Sequence, residues 1–105
     1  MGVIGGTGLG ETFGKRADVE RIEVETPFGP CSGPILRTMV DGVDCLFLSR
    51  HGAGHVLNPS RVPYRANIFA LKSLGATAII ASGATGSLRE EIVPGDLVIC
   101  DQVID

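Results

Sequence analysis

Apolar positions in this chain fall into short runs separated by glycine, proline and charged breaks, and their spacing switches between period two and a helical repeat. Val3-Ile4 is a very short apolar run that stops in Gly5-Gly6-Thr7-Gly8, which predicts a first strand starting almost at Met1. Residues 19–24 (VERIEV) alternate apolar and charged, as a half-exposed strand does, and Thr26-Pro27-Phe28-Gly29-Pro30 then breaks the chain. Ile35 to Val40 and Val43 to Ser49 flank Asp41-Gly42, a pair in which both positions favour positive φ, so an antiparallel hairpin is predicted.

Residues 50–61 lose all periodicity and carry both histidines, two glycines, Asn58 and Pro59, the profile of a long functional or mobile loop. Residues 63–74 (PYRANIFALKSL) read as a helix, with Pro63 in its first turn, Tyr64, Ile68, Leu71 and Phe69 toward a core, and Gly75 as its stop. Residues 76–81 (ATAIIA) read as a buried strand. A second glycine-rich turn, Ser82 to Ser87, leads into a short helical piece, a Pro94-Gly95-Asp96 turn and a last strand from Leu97 to about Val103. No internal repeat or low-complexity segment is present.

The helix between strands 43–49 and 76–81 makes a strand-helix-strand unit, which joins parallel strands with right-handed sense. Together with the hairpin this predicts an α/β fold: a mixed central sheet with flanking helices. Ligands in such sheets gather beyond the carboxyl ends of the strands. Three loops follow strands directly, Gly5 to Gly8, Arg50 to His55 and Ser82 to Ser87, and parallel strands would bring them to one edge.

Composition narrows the function classes. The 105 residues hold 9 Lys+Arg and 12 Asp+Glu, a formal charge of 9 − 12 = −3, which argues against a nucleic-acid binder working through a basic surface. Apolar residues at 44% and charged residues at 20% are those of an ordinary globular chain of one domain at most. The 15 glycines are about twice the usual share and cluster between apolar runs, as loops that approach a ligand do. Cys31, Cys45 and Cys100 form no C-x-x-C pair, which favours a reducing compartment and thiols used as apolar filler. No segment reaches the roughly 18 apolar residues of a membrane span and no leader pattern opens the chain, so the expected location is cytoplasmic.

The loops carry the candidate chemistry. Gly5-Gly6-Thr7-Gly8-Leu9-Gly10 offers backbone N–H groups and the Thr7 hydroxyl to a phosphate-like oxyanion. It matches neither the dinucleotide fingerprint nor a P-loop, since Lys15 is followed by Arg16, and a tight turn is an equal reading. At the end of an apolar strand, Arg50 can hold an oxyanion bidentately and His51 can add a donor; a rim arginine paired with a carboxylate and a structural histidine are the plain alternatives. Ser82 to Ser87 presents the N–H groups of Gly83 and Ala84 beside hydroxyls, while Ser87 and Glu90 are best read as an N-cap and capping box. His51 and His55 lie four apart with no H-E-x-x-H pattern, so no metal is expected. Cys45, Ser49 and Cys100 fall inside predicted strands without a positioned base, and Leu88 to Glu91 reads as a solvated face.

These residues fall in recognisable blocks. Ile4-Gly5-Gly6-Thr7-Gly8-Leu9, Thr26-Pro27-Phe28-Gly29, Arg50-His51-Gly52 with His55, Pro59 and Tyr64-Arg65-Ala66-Asn67-Ile68, then Gly86 to Glu91, Pro94-Gly95-Asp96 and Asp101-Gln102 together resemble the N-terminal part of the 5'-methylthioadenosine phosphorylase and purine nucleoside phosphorylase family. The resemblance implies phosphorolysis: inorganic phosphate attacks the anomeric carbon of a purine nucleoside, giving free base and a (methylthio)ribose 1-phosphate, with no organic cofactor or metal. It implies phosphate contacts at Thr7, Arg50, His51, Gly83 and Ala84, and assigns His55 and Asn67 to loop and subunit-interface structure. It further implies a homo-trimer or hexamer at full length.

Two departures accompany it. Gly83 stands where the methylthioadenosine enzymes carry Thr and related phosphorylases Asn, so only backbone can serve there. Family members also continue well past Asp105, into the region that recognises the base. The expectation is therefore that residues 1–105 are the N-terminal part of a single nucleoside phosphorylase domain, apparently truncated after Asp105, holding the phosphate side of the site and inactive alone. A non-catalytic phosphate- or nucleotide-binding fragment is the alternative, and a fragment without a stable fold of its own is a third.

Overall fold

The computed structural model describes every residue except Thr7 and Asp105. Among the described residues five strands form one sheet in the order β2-β3-β4-β1-β5, with β1 at Gly2–Gly5, β2 at Glu20–Ile22, β3 at Ile35–Val40, β4 at Val43–Ser49 and β5 at Ile79–Ala81. Two helices, α1 at Leu9–Gly14 and α2 at Tyr64–Ser73, accompany it, and Pro59–Arg61 make a 3-10 turn. β2, β3 and β4 are antiparallel, whereas β1 runs parallel to both β4 and β5, so the sheet is mixed as expected. The chain passes from β4 through α2 to β5 and leaves β1 between the two strands.

The hairpin follows from its turn. Asp41 and Gly42 sit at φ 48° and 80°, the left-handed pair that suits the twist of the flanking strands. The register Val40↔Val43 through Leu36↔Phe47 sets alternate side chains on opposite faces. β4 is covered on both: Leu46 and Leu48 join Ile35, Ala70 and Leu71 in the core beneath α2, while Phe47 stacks on Phe13 of α1 with ring centroids 4.7 Å apart. A strand buried on both faces reads as the continuous apolar run Cys45-Leu46-Phe47-Leu48.

Several expectations require correction. Helix α2 turns Ala66, Asn67, Ala70 and Leu71 inward, leaving Tyr64, Ile68 and Phe69 exposed. Of the large side chains expected in the core Leu71 is there; the rest of the buried face is Ala66, Asn67 and Ala70, with Ala70 and Leu71 packed among Ile35, Leu46 and Leu48. β5 is shorter than predicted and exposed; among the described residues it lies at the sheet edge and pairs with β1 alone. β2 likewise covers only part of residues 19–24.

No helix follows Ser87: its hydroxyl closes a local turn with Arg89, so there is no N-cap and no capping box with Glu90. The Pro94-Gly95-Asp96 turn is formed, with the Asp96 N–H donating to the Val93 carbonyl at 3.1 Å. The stretch from Leu97 to Val103 is not a strand; its apolar side chains are exposed, as is Cys100. A strand requires a neighbour to take its backbone hydrogen bonds, and among the described residues this stretch has none. Among the described residues no helix is long and apolar enough to cross a membrane.

Candidate anion site at the strand ends

The parallel register sets the site. Gly5 lies beside Ser49 and Ile4 beside Ala81, so the residues that follow β1, β4 and β5 emerge at one level of the sheet. The ladder extends one step further: the Arg50 N–H donates to the Gly5 carbonyl and the Ser82 N–H to the Ile4 carbonyl, both at 2.9 Å. Gly6, Leu9, Arg50, His51, His55, Ser82, Gly83 and Ala84 then surround an open concavity of about 440 Å³. The three strand-end loops thus meet at one edge, and Arg50, His51, Gly83 and Ala84 line the same space. Thr7, the fifth expected contact, lies outside the described residues.

Arg50 ties these loops together. Its Nη1 donates to the Ser82 carbonyl at 3.0 Å and its Nε to the His51 Nε2 at 3.3 Å. A guanidinium carries five N–H donors, so three remain among the described contacts, and Nη2 faces Gly6, 3.3 Å from where a side chain would begin. Among the described residues, the N–H groups of Gly83 and Ala84 donate to no protein acceptor. No carboxylate is among the described lining residues. Chemically the arrangement offers donors and positive charge to an oxyanion and no acid to oppose it. Among the described residues Arg50 makes no ion pair with a carboxylate.

His51 is buried, and its Nδ1 lies 2.7 Å from the Leu57 carbonyl, which can only accept. The His55 ring packs against it at a tilt of 33°, with centroids 4.3 Å apart. The loop is held from below by a chain of hydrogen bonds. Asn67, 2% exposed on α2, accepts the Ser32 N–H at 3.0 Å, and the Ser32 hydroxyl donates to the Ser49 carbonyl at 2.6 Å. Asn67 therefore fastens the end of β4, one residue before Arg50, from within this chain. Sequence reasoning missed Ser32 and the carbonyls of Leu57 and Ser82; a backbone oxygen leaves no mark in a sequence. Among the described residues no group of three or more His, Cys, Asp or Glu could hold a metal ion.

Comparison with known proteins bears on this site. A family model described as the phosphorylase superfamily matches residues 1–105. S-methyl-5'-thioadenosine phosphorylase of Geobacter sulfurreducens is 56% identical over the whole chain, which covers 36% of that protein. The enzyme of the same name from Anopheles gambiae is 51% identical, with 37% of its length covered. Methylthioadenosine phosphorylase from Schistosoma mansoni in complex with adenine superposes with a TM-score of 0.81 at 47% identity, over 90% of this chain and 34% of that one. The chain thus spans about a third of the length of the relatives it matches.

Proposed function

We propose, from the premise that the chain belongs to the phosphorylase superfamily, that it supplies the phosphate-binding side of a purine nucleoside phosphorylase acting on S-methyl-5'-thioadenosine, methylthioinosine or a related nucleoside. Residues 1–105 form the N-terminal part of one such domain. The observation that carries this reading is the lining at the junction of three strand ends, which among the described residues holds Arg50 and no carboxylate. The relatives' names favour a transferase over a fragment that only binds.

In this role phosphate rests on the free edge of the Arg50 guanidinium and on the N–H groups of Gly83 and Ala84, with Thr7 as a further contact. His51 faces the same space. Gly83 contributes through its backbone alone. Holding the phosphate dianion removes the entropic cost of bringing it to the anomeric carbon and sets negative charge beside the oxocarbenium-like transition state. Phosphate oxygen bonds to the anomeric carbon, the bond from that carbon to the purine nitrogen breaks, and the base leaves with the bonding pair. No organic cofactor or metal enters this sequence. The assembled enzyme is cytoplasmic and a homo-trimer or hexamer.

The test is a chimera in which these 105 residues replace the corresponding first third of the Geobacter sulfurreducens relative. Free adenine is expected from S-methyl-5'-thioadenosine only when phosphate is present. Arg50→Ala should lower that activity at least a hundredfold, since a bidentate charged contact is lost. Release independent of phosphate, or an unaffected Arg50→Ala variant, refutes the proposal.

A further inference from the structure

The ring of His51 is fixed at both nitrogens. Leu57 offers a carbonyl oxygen, so Nδ1 must carry a proton to bond it at 2.7 Å. Arg50 offers only N–H groups, so the Nε2 that lies 3.3 Å from its Nε must present a lone pair. Together these partners select one neutral tautomer and leave Nε2 occupied as an acceptor. His51 is only 8% exposed, and the Leu57 N–H returns a bond to the His51 carbonyl at 3.1 Å, closing the loop around the ring. Among the described residues, the titratable or charged groups that face this imidazole are Arg50 on its edge and His55 against its ring.

We propose that His51 is a positioning residue for Arg50: it works as a neutral acceptor that, with the Ser82 carbonyl, clamps the guanidinium so that its remaining edge faces the anion. The inference rests on the anion-site reading above and deepens it. A guanidinium held at Nε and Nη1 by two acceptors has one orientation left, and that orientation points Nη2 toward Gly6 and the open concavity. The preorganisation matters because an arginine free to rotate must lose its side-chain freedom on binding, whereas this one has already lost it. A role as direct donor demands the opposite chemistry: Nε2 would have to gain a proton or hand its proton across the ring, and the bond from Arg50 would have to break.

Sulfate separates the two, being a dianion throughout the neutral range and so contributing no protonation of its own. In the 105-residue chain with nitrogen-15-labelled histidine, the His51 Nε2 resonance should be that of an unprotonated nitrogen and remain so when sulfate is added. Calorimetric titration of sulfate in two buffers of different ionisation enthalpy should show no proton uptake. His51→Asn, whose amide reaches Leu57 and not Arg50, should bind sulfate about tenfold more weakly, and His51→Gln, whose carbonyl can accept from Arg50, should recover most of that loss. Protonation of Nε2 on binding, or parental affinity in His51→Asn with an unchanged dispersed spectrum, overturns the inference while leaving the anion site standing. Absence of sulfate or phosphate binding at millimolar concentration overturns the site itself and the inference with it.

Discussion

A methyl group added at Gly5 tests the packing that places the site. Built on the backbone, a Cβ there would lie 2.7 Å from Cε2 and 3.0 Å from Cζ of Phe47, and 2.9 Å from Cδ2 of Leu9. Carbon atoms prefer about 3.5–4.0 Å, so the nearest contact overlaps by roughly 0.8 Å. Leu9 is partly exposed and can swing aside. Phe47 cannot: it is 1% exposed and stacked face to face on Phe13, with an interplanar angle of 6°. Nor can the backbone retreat, because β1 is hydrogen-bonded to a strand on each side and Gly5 accepts the Arg50 N–H. Overpacking of this kind costs about 1–3 kcal/mol. The lower chain entropy of unfolded alanine returns about 0.4–1 kcal/mol. A net loss of about 1–2 kcal/mol remains, which for a domain near this size lowers Tm by roughly 5–15 °C. Thermal unfolding of Gly5→Ala followed by circular dichroism measures it. In the double variant with Phe47→Leu, removal of the ring edge should make the combined loss smaller than the sum by about 0.5 kcal/mol or more. A Gly5→Ala variant as stable as the parent, or strict additivity in the double, would refute this account of why glycine ends β1.

Other consequences can be checked separately. Asn67→Ala leaves the Ser32 N–H without its acceptor in a half-buried segment, so urea unfolding should show a loss of about 1–3 kcal/mol. The paired hydrogen bonds from Arg37 hold the Asp44 carboxyl below its ordinary value of 3.8, and the Thr38 hydroxyl does the same for Asp18. A depressed folded pKa stabilises above the unfolded value and is lost as pH falls through the folded one, so the stability difference between parent and Asp44→Asn should be full above about pH 4 and shrink as the pH falls below 3.8. Both carboxyls are exposed, and salt should shrink that difference. The outer edge of β5 carries Ile80, 57% exposed, so the 105-residue chain should self-associate with rising concentration in light scattering, and Ile80→Lys should suppress this.

The legible parts of the fold are those whose cause is local. The hairpin 35–49 is found at its predicted bounds because Asp41-Gly42 specifies the turn, and α2 within a residue at each end because Pro63 and Gly75 punctuate it. The unread helix α1 carries Gly10 and Gly14, each costing about 1 kcal/mol of helix propensity, and is held instead by Phe13 on Phe47, a contact made across the fold. The misread face of α2, the exposure of β5 and the unpaired stretch after Leu97 share one cause. Apolar content signals that a segment has something to bury, but the neighbour that buries it is set elsewhere. The site divides the same way: Arg50 and the glycine loops stand out by residue type at strand ends, whereas Asn67, Ser32 and the two carbonyls act through geometry that exists only once the sheet has formed.

The sign of the charge at the site sharpens its meaning. The whole chain carries −3, yet the described lining of the concavity holds an arginine and two histidines and no carboxylate. On the proposed reading, an anion approaching this molecule is repelled by the net charge at long range and attracted within the concavity that Arg50, Gly83 and Ala84 line. Long-range repulsion between exposed charges is screened within about 8 Å at physiological ionic strength, whereas short hydrogen bonds at a strand end are not. Added inert salt should therefore weaken anion binding here far less than at a basic surface. Selection among anions is then expected to fall to orientation, because a tetrahedral dianion offers several acceptor oxygens to a guanidinium edge and backbone N–H groups whereas a spherical chloride offers one centre. The proposed site should therefore take phosphate in preference to chloride without requiring a positively charged protein.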